Sequence, residues 1–185
     1  MITKKNLEIE IKIKIDNISE TKKKILNLGF KIFKRKTFEY NITFDKKNDQ
    51  LKKNNFLLRL RKTDYANTLT FKSPVLNSSG PPIYKKREEI ETEVSDFGKT
   101  RKILVLLGFQ PFFIYEKYRE TYLKGNVKIM VDQTPIGNFI EIEGKESEID
   151  ITANQLGYNK SHYITQSYYS LFLKSKNKGS MQFDS

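Results

Sequence analysis

The sequence predicts an α+β chain: a single eight-stranded antiparallel β-barrel, hollow as a tunnel, with helices packed outside. Three observations lead there. Eight stretches alternate with period two, so that each has one apolar and one polar or charged face. Amphipathic helical stretches fall between them and need apolar surface to cover, which turns the apolar sheet faces outward and the charged faces inward. The chain also echoes itself: Glu-Ile-Glu-Ile-Lys followed by Lys-Ile-Leu-Asn-Leu-Gly-Phe in residues 8–30 matches Glu-Ile-Glu-Thr-Glu followed by Lys-Ile-Leu-Val-Leu-Leu-Gly-Phe in 89–109, as two similar halves of one barrel would.

The elements follow in order. The strand at 6–15 sends Glu8, Glu10 and Lys12 to one face and Ile9, Ile11 and Ile13 to the other. A helix from about Ser19 to Leu28 has Asp16 or Ser19 as N-cap and Gly29 as its stop. Strands at 31–44 and 55–63 come next, the second alternating Leu58 and Leu60 with Arg59 and Arg61, and the strand at 67–73 sets Leu69 and Phe71 against Lys72. Residues 73–82 read as a loop on their Ser, Gly and Pro content. The strand at 84–94 carries Arg87, Glu89 and Glu91, and a helix from Asp96 to Leu107 stops at Gly108.

Strands at 110–124, 126–132 and 137–144 bear Lys117 and Arg119, then Asp132, then Glu141 and Glu143. Beyond Gly144 the pattern turns helical, with a short piece near Thr152–Leu156 and a longer helix from Ser161 to Leu173. Tyr163, Tyr168, Tyr169 and Phe172 fall at helical spacing and read as packing, with contact of one of them to a nucleobase at the tunnel entrance as the alternative, and His162 reads as solvent-facing without a role. Residues 1–173 are expected to form one domain and the polar residues 174–185 a flexible tail.

Composition narrows the chemistry. A formal charge of +12 favours a polyanionic partner without saying which. With no cysteine and one histidine, thiolate nucleophiles, disulfides and histidine-rich metal centres are excluded, so any metal must be held by oxygen. Neither a signal peptide nor a membrane-spanning stretch is legible, and a soluble cytoplasmic protein is expected.

The proposed inward positions pair seven basic residues, Lys12, Arg59, Arg61, Lys72, Arg87, Lys117 and Arg119, with seven acidic ones, Glu8, Glu10, Glu89, Glu91, Asp132, Glu141 and Glu143. Isolated ions in a low-dielectric interior cost several kcal/mol each, so such a set survives only by pairing, water or ligands. Carboxylates that hold a divalent cation beside bases that hold phosphate make a polyphosphate site.

On these motifs the chain resembles the CYTH family, the triphosphate tunnel metalloenzymes, over almost its whole length. The residues that carry the resemblance are Glu8-x-Glu10-x-Lys12, Leu-Arg-Leu-Arg at 58–61, Leu-Thr-Phe-Lys at 69–72, Arg-Glu-Glu-Ile-Glu at 87–91, Lys-Tyr-Arg at 117–119, Val-Asp at 131–132 and Gly-Asn-Phe-Ile-Glu-Ile-Glu at 137–143. Ile11, the chain length and the C-terminal Gln-Ser-Tyr-Tyr-Ser-Leu-Phe are similar to the class IV adenylyl cyclase branch.

The resemblance implies an enzyme using Mg2+ or Mn2+, with Glu8, Glu10, Asp132, Glu141 and Glu143 as metal candidates and Glu8, Glu10, Lys12, Glu141 and Glu143 as catalytic ones. Lys12, Arg59, Arg61, Lys72, Arg87, Lys117 and Arg119 would bind the substrate phosphates. The expected reaction is ATP to cyclic AMP and pyrophosphate. Hydrolysis of thiamine triphosphate, tripolyphosphate or nucleoside triphosphates is the alternative, and a non-catalytic polyphosphate-binding module is the rival from another class. A nucleic-acid or membrane partner is not expected, and the chain is expected to be a monomer or homodimer.

Overall fold

The structure, a computed structural model, describes residues 7–75, 83–175 and 178–184. In chain order the elements are β1 (Leu7–Ile15), α1 (Ile18–Asn27), β2 (Lys31–Asp45), α2 (Gln50–Lys53), β3 (Leu57–Lys62), β4 (Asn67–Pro74), β5 (Lys85–Val94) and α3 (Phe97–Leu106). They continue with β6 (Gln110–Lys124), β7 (Val127–Thr134), β8 (Gly137–Glu143), α4 (Glu146–Gln155), a 3-10 turn at Lys160–His162 and α5 (Tyr168–Lys174).

The strands close as β1-β5-β4-β3-β2-β6-β7-β8, all antiparallel, with β8 returning to β1. Closure removes the free sheet edges that would otherwise invite aggregation. Each half runs strand, helix, long strand, strand, strand. The two 15-residue strands β2 and β6 pair with each other, as do β1 and β5, so the repeat in the sequence is a repeat in the barrel.

The barrel is inside out relative to a soluble sandwich. Ile11, Ile13, Ile129, Ile140 and Ile142 face outward into a core shared with Ile25 of α1 and Ile149 and Ala153 of α4. Leu104 of α3 packs with Ile42, Phe44, Leu58 and Leu60 over the other half. Full burial of one such side chain, Ile25 for instance, contributes about 1.5–3 kcal/mol. A one-residue slip of any strand would exchange this core for charge, which pins the register.

Local signals explain the helix ends and correct some boundaries. Asn17, between the two expected caps, starts α1 by accepting a hydrogen bond from the Glu20 N–H at 3.0 Å. Gly29 ends the helix at φ 84°, a left-handed conformation that favours glycine. Helix α4 begins at Glu146, earlier than the short piece expected near Thr152, because the Glu148 side chain accepts from the Lys145 N–H.

The helix expected at 161–173 is broken. Ile164 exchanges backbone hydrogen bonds with Lys12, at 3.0 and 2.8 Å, on the edge of β1 beyond the point where β5 stops pairing. Extended pairing there excludes helix, and α5 restarts only when Ser167 caps it by accepting from the Ser170 N–H.

Of residues 174–185, expected to be a flexible tail, Lys174 ends α5 and Met181 to Phe183 dock on β6. Met181 is fully buried among Phe113, Tyr115, Tyr168 and Phe172, and it pairs with β6 through Met181 N–H to Ile114 O at 2.9 Å and Glu116 N–H to Met181 O at 2.8 Å. The polar composition concealed one apolar anchor. Of the loop expected at 73–82, Ser73 and Pro74 belong to β4, and 76–82 lie outside the described residues. Among the described residues no helix is long and apolar enough to cross a membrane.

Candidate active site

Inward alternation of the eight strands leaves a cavity of about 580 Å3 through the barrel, within the size range of small-molecule sites. Of the fourteen residues expected inside, all but Asp132 line it. Among the described residues its wall holds eleven Lys and Arg against eight Asp and Glu, an excess of positive charge that suits an anionic ligand. At one end, where β2 finishes and β6 starts, the wall becomes aromatic: Phe112 and Tyr169 lie 4.9 Å apart between ring centres, with the Lys52 ammonium over both.

One side of the cavity is a continuous ionic network across β1, β8, β7, β6, β2 and β3. The Lys12 ammonium donates to Glu141 Oε1 at 2.6 Å, and Arg119 donates to the other oxygen of that carboxylate. Arg119 also forks onto Asp132 at 2.6 and 2.5 Å, and Lys117 reaches the same carboxylate at 2.9 Å. Glu39 sits between Arg61 at 3.3 Å and Lys117 at 3.6 Å. Burial alone would raise the Glu141 pKa, yet Arg119, Lys12 and Lys117 hold it well below the usual range. Burial likewise opposes the charge on Lys12, but Glu141 and Glu10 outweigh it and leave the ammonium harder to deprotonate than usual.

A second set of ion pairs joins β1 to its neighbour β5 and to β4. Lys72 bonds both oxygens of Glu8, at 2.7 and 2.6 Å, and lies 3.3 Å from Glu89. Lys85 holds Glu10 at 2.5 Å. The two carboxyls are pushed apart: burial and the neighbouring Glu10 raise Glu8, whereas Lys85 and Lys12 overcome burial and lower Glu10 to about 2. Such a separated pair lets one group stay ionised while the other can exchange a proton.

Two arginines keep donors for a ligand. Arg59 gives one N–H to Thr70 Oγ1 at 3.1 Å, and its buried Nε has no hydrogen-bond partner among the described residues. Arg87 is half-buried in the cavity wall, where desolvation lowers its pKa despite Glu10 and Glu8. A buried orphan guanidinium donor fits phosphate oxygens, which accept two parallel N–H bonds.

A divalent cation also fits, on the chemistry of the donors. Glu8, Glu10 and Glu143 line the cavity from paired strands, with Glu10 directly opposite Glu143 in the β1/β8 register. No three carboxylates already cluster as ligands among the described residues. Mg2+ and Mn2+ do not require that, since they bind through one or two carboxylates together with phosphate oxygens and water.

The structure moves one expected site residue and adds four. Asp132 is fully buried and does not reach the cavity; Lys117, Arg119 and the Tyr168 hydroxyl, at 2.6 Å, take up its oxygens. In this structure it holds those basic side chains from behind the cavity wall. Lys85, Glu39 and Tyr115, outside the expected set, line the cavity, and so does Tyr168, expected mainly as a packing residue. Lys85 and Tyr115 stand two residues before Arg87 and Lys117 on the same strand faces, so the alternation rule could have found them. Tyr168 could not be found that way, because it enters from a helix. His162 is exposed and engages Asn159 locally, away from the cavity.

The CYTH domain model matches residues 6–168. A Methanocaldococcus jannaschii protein named "Putative adenylate cyclase" is 34% identical over 145 residues, covering 78% of this chain and 80% of that one. A Vibrio parahaemolyticus protein of solved structure superposes with a TM-score of 0.79 at 15% identity, covering 92% of this chain and 99% of that one. A Hippeastrum protein described as having a dominant triphosphatase activity superposes at 0.64 with 21% identity, covering 92% and 97%.

Proposed function

This chain belongs to the CYTH domain family, and from that membership we propose that it is a divalent-cation-dependent enzyme acting on triphosphates, converting ATP to cyclic AMP and pyrophosphate. The observation that carries the reading is the cavity with excess positive charge in which Glu8, Glu10 and Glu143 stand on adjoining strands. The likeness to the archaeal relative supports the cyclase as the leading reaction, and the aromatic end of the cavity suits a substrate with a flat ring.

In this reading Arg59, Arg61, Lys72, Arg87, Lys117 and Arg119 hold the triphosphate and neutralise the charge that grows on the leaving pyrophosphate. Glu10, ionised at all ordinary pH, and Glu143 would hold Mg2+ or Mn2+. When bound, the cation supplies Lewis acidity toward the phosphate and the attacking hydroxyl. Glu8, with its raised pKa, is the carboxylate best matched to accepting the ribose 3′-hydroxyl proton. The 3′-oxygen then bonds to the α-phosphorus, the bond to the bridging oxygen breaks, and the electron pair leaves with pyrophosphate. No side-chain nucleophile is needed. The substrates of such a reaction are cytoplasmic, and so is the location we propose.

A triphosphatase is the second reading, favoured by the activity described for the Hippeastrum protein. The same wall would orient water toward a terminal phosphate. Incubating the protein with ATP, tripolyphosphate and thiamine triphosphate, each with Mg2+ or Mn2+, and separating products by chromatography decides between them. Cyclic AMP with pyrophosphate is the expected result. Orthophosphate would make the chain a triphosphatase, and absence of turnover with every substrate would overturn the enzymatic reading.

A further inference from the structure

Among the uncharged side chains that line the cavity, Tyr115 stands beside the ionic network. Tyr115 lies on β6, on the same strand face as Lys117 and directly opposite Asn41 of β2. Its ring is fixed. It stacks on Phe113 at 5.6 Å with an 18° interplanar angle, and Tyr168 lies 6.3 Å away. Its carbonyl accepts from the Asn41 amide at 3.4 Å, and Met181 clamps the residues on either side through the backbone.

The rigid ring lies in one register row with Asn41 and Arg61 across β6, β2 and β3 and lines the cavity with Arg59 and Lys117, and the charges of Arg59, Arg61 and Lys117 act on its hydroxyl. A guanidinium can only donate, so the tyrosine oxygen accepts from Arg59 and its own O–H remains to be given away. Arg59 is also the arginine whose Nε is buried without a hydrogen-bond partner among the described residues.

We propose that Tyr115 is a substrate-binding residue of the tunnel, its hydroxyl joining Arg59, Arg61 and Lys117 in a cradle for one phosphoryl group. The proposal rests on the triphosphate reading and deepens it. An oxygen placed to receive the spare Arg59 donor is also within the compass of the Tyr115 O–H, and a hydroxyl bonded to an anionic oxygen is among the stronger hydrogen bonds. A substrate lacking phosphate leaves that cradle unfilled.

The cradle has a consequence for pH. Burial raises the Tyr115 pKa, but the charges of Arg59, Arg61 and Lys117 outweigh burial and bring it below the ordinary value of 10. The other ionisable groups around this cluster include Glu39 on β2, which already neutralises part of Arg61 and Lys117, Glu91 on β5, 3.6 Å from Arg59, and Tyr168 on α5, which burial and Asp132 hold protonated. A phenolate would occupy the cations and repel phosphate. Phosphate binding therefore demands the neutral phenol, and affinity falls as pH rises through the Tyr115 pKa.

The test is calorimetric titration of the native protein and Tyr115→Phe with inorganic tripolyphosphate, without metal, from about pH 6 to pH 10. Phenylalanine keeps the ring stack and removes only the hydroxyl. The expected result is binding about tenfold weaker in Tyr115→Phe at neutral pH, with the two affinities converging as pH rises. Binding within twofold of native, with the same pH slope, would overturn the proposal. If the native protein does not bind tripolyphosphate at all, the triphosphate reading fails first and takes the proposal with it. Should Tyr115→Phe not fold, phenolate absorbance of the native protein decides: tripolyphosphate must move one tyrosine titration to higher pH, and an unmoved titration refutes the role.

Discussion

Replacing Asp132 with asparagine separates an anchor from a metal ligand. The native carboxylate receives Lys117 at 2.9 Å, Arg119 at 2.6 and 2.5 Å and the Tyr168 hydroxyl at 2.6 Å, in a position closed to solvent. Asparagine keeps one acceptor oxygen but turns an NH2 toward Arg119 or Lys117, which can only donate, and it removes the charge that both of them contact. Breaking a buried ion pair from one side costs about 3–5 kcal/mol. For a chain of this size each kcal/mol shifts Tm by about 2–4 °C, so the loss should be roughly 6–20 °C. Tripolyphosphate would supply the missing negative charge to the exposed cations, so its addition should raise the melting temperature more in Asp132→Asn than in the native protein. Differential scanning calorimetry with and without tripolyphosphate measures both. A melting temperature within a degree or two of native, combined with lost metal affinity, would refute the anchoring argument and restore Asp132 as a ligand.

Other expectations follow from the same geometry. Burial would raise the Glu39 pKa, but Arg61 and Lys117 outweigh it and lower it from 4.5 to about 2. That depression contributes stability above pH 4.5 that is lost as pH falls through about 2, worth about 3 kcal/mol at neutrality. Denaturant unfolding of Glu39→Gln across pH 2 to 7 should show at least that loss at neutral pH and a flatter acid limb; equal acid limbs would contradict it. Met181→Ala should cost about 2–4 kcal/mol in urea unfolding by emptying a fully buried site, whereas a loose tail would give no change. Glu10→Gln should keep the native circular dichroism and lose at least about a hundredfold in metal-dependent turnover, as removal of a key electrostatic group does. Native turnover in that variant would remove Glu10 from the site.

Much of the site was legible because barrel strands obey a two-residue rule. Once Ile11 and Ile13 are assigned outward, Glu8, Glu10 and Lys12 must point inward, and the same logic places Arg59 with Arg61 and Glu141 with Glu143. The rule fails where a contact comes from outside the strand. Residues 161–173 carry helical spacing, but the open edge of β1 claims Ile164 and breaks the helix. The polar sequence 174–185 hides Met181, whose burial depends on a gap between β6 and α5 that no local pattern announces.

Asp132 marks the boundary between the two kinds of information. Alternation gave its face correctly, and its sequence neighbours could not say that Tyr168 would cover it. By itself the sequence determined the closed barrel, the inward charge and thirteen of the charged side chains facing the cavity, because those follow from periodicity and from the cost of burying unpaired ions. Only the tertiary structure decided which carboxylates stay open and which are enclosed, which cations keep a free donor, and where the aromatic end lies. Those depend on the stagger between strands and on a C-terminal segment that folds back across them, and side-chain periodicity carries no record of either.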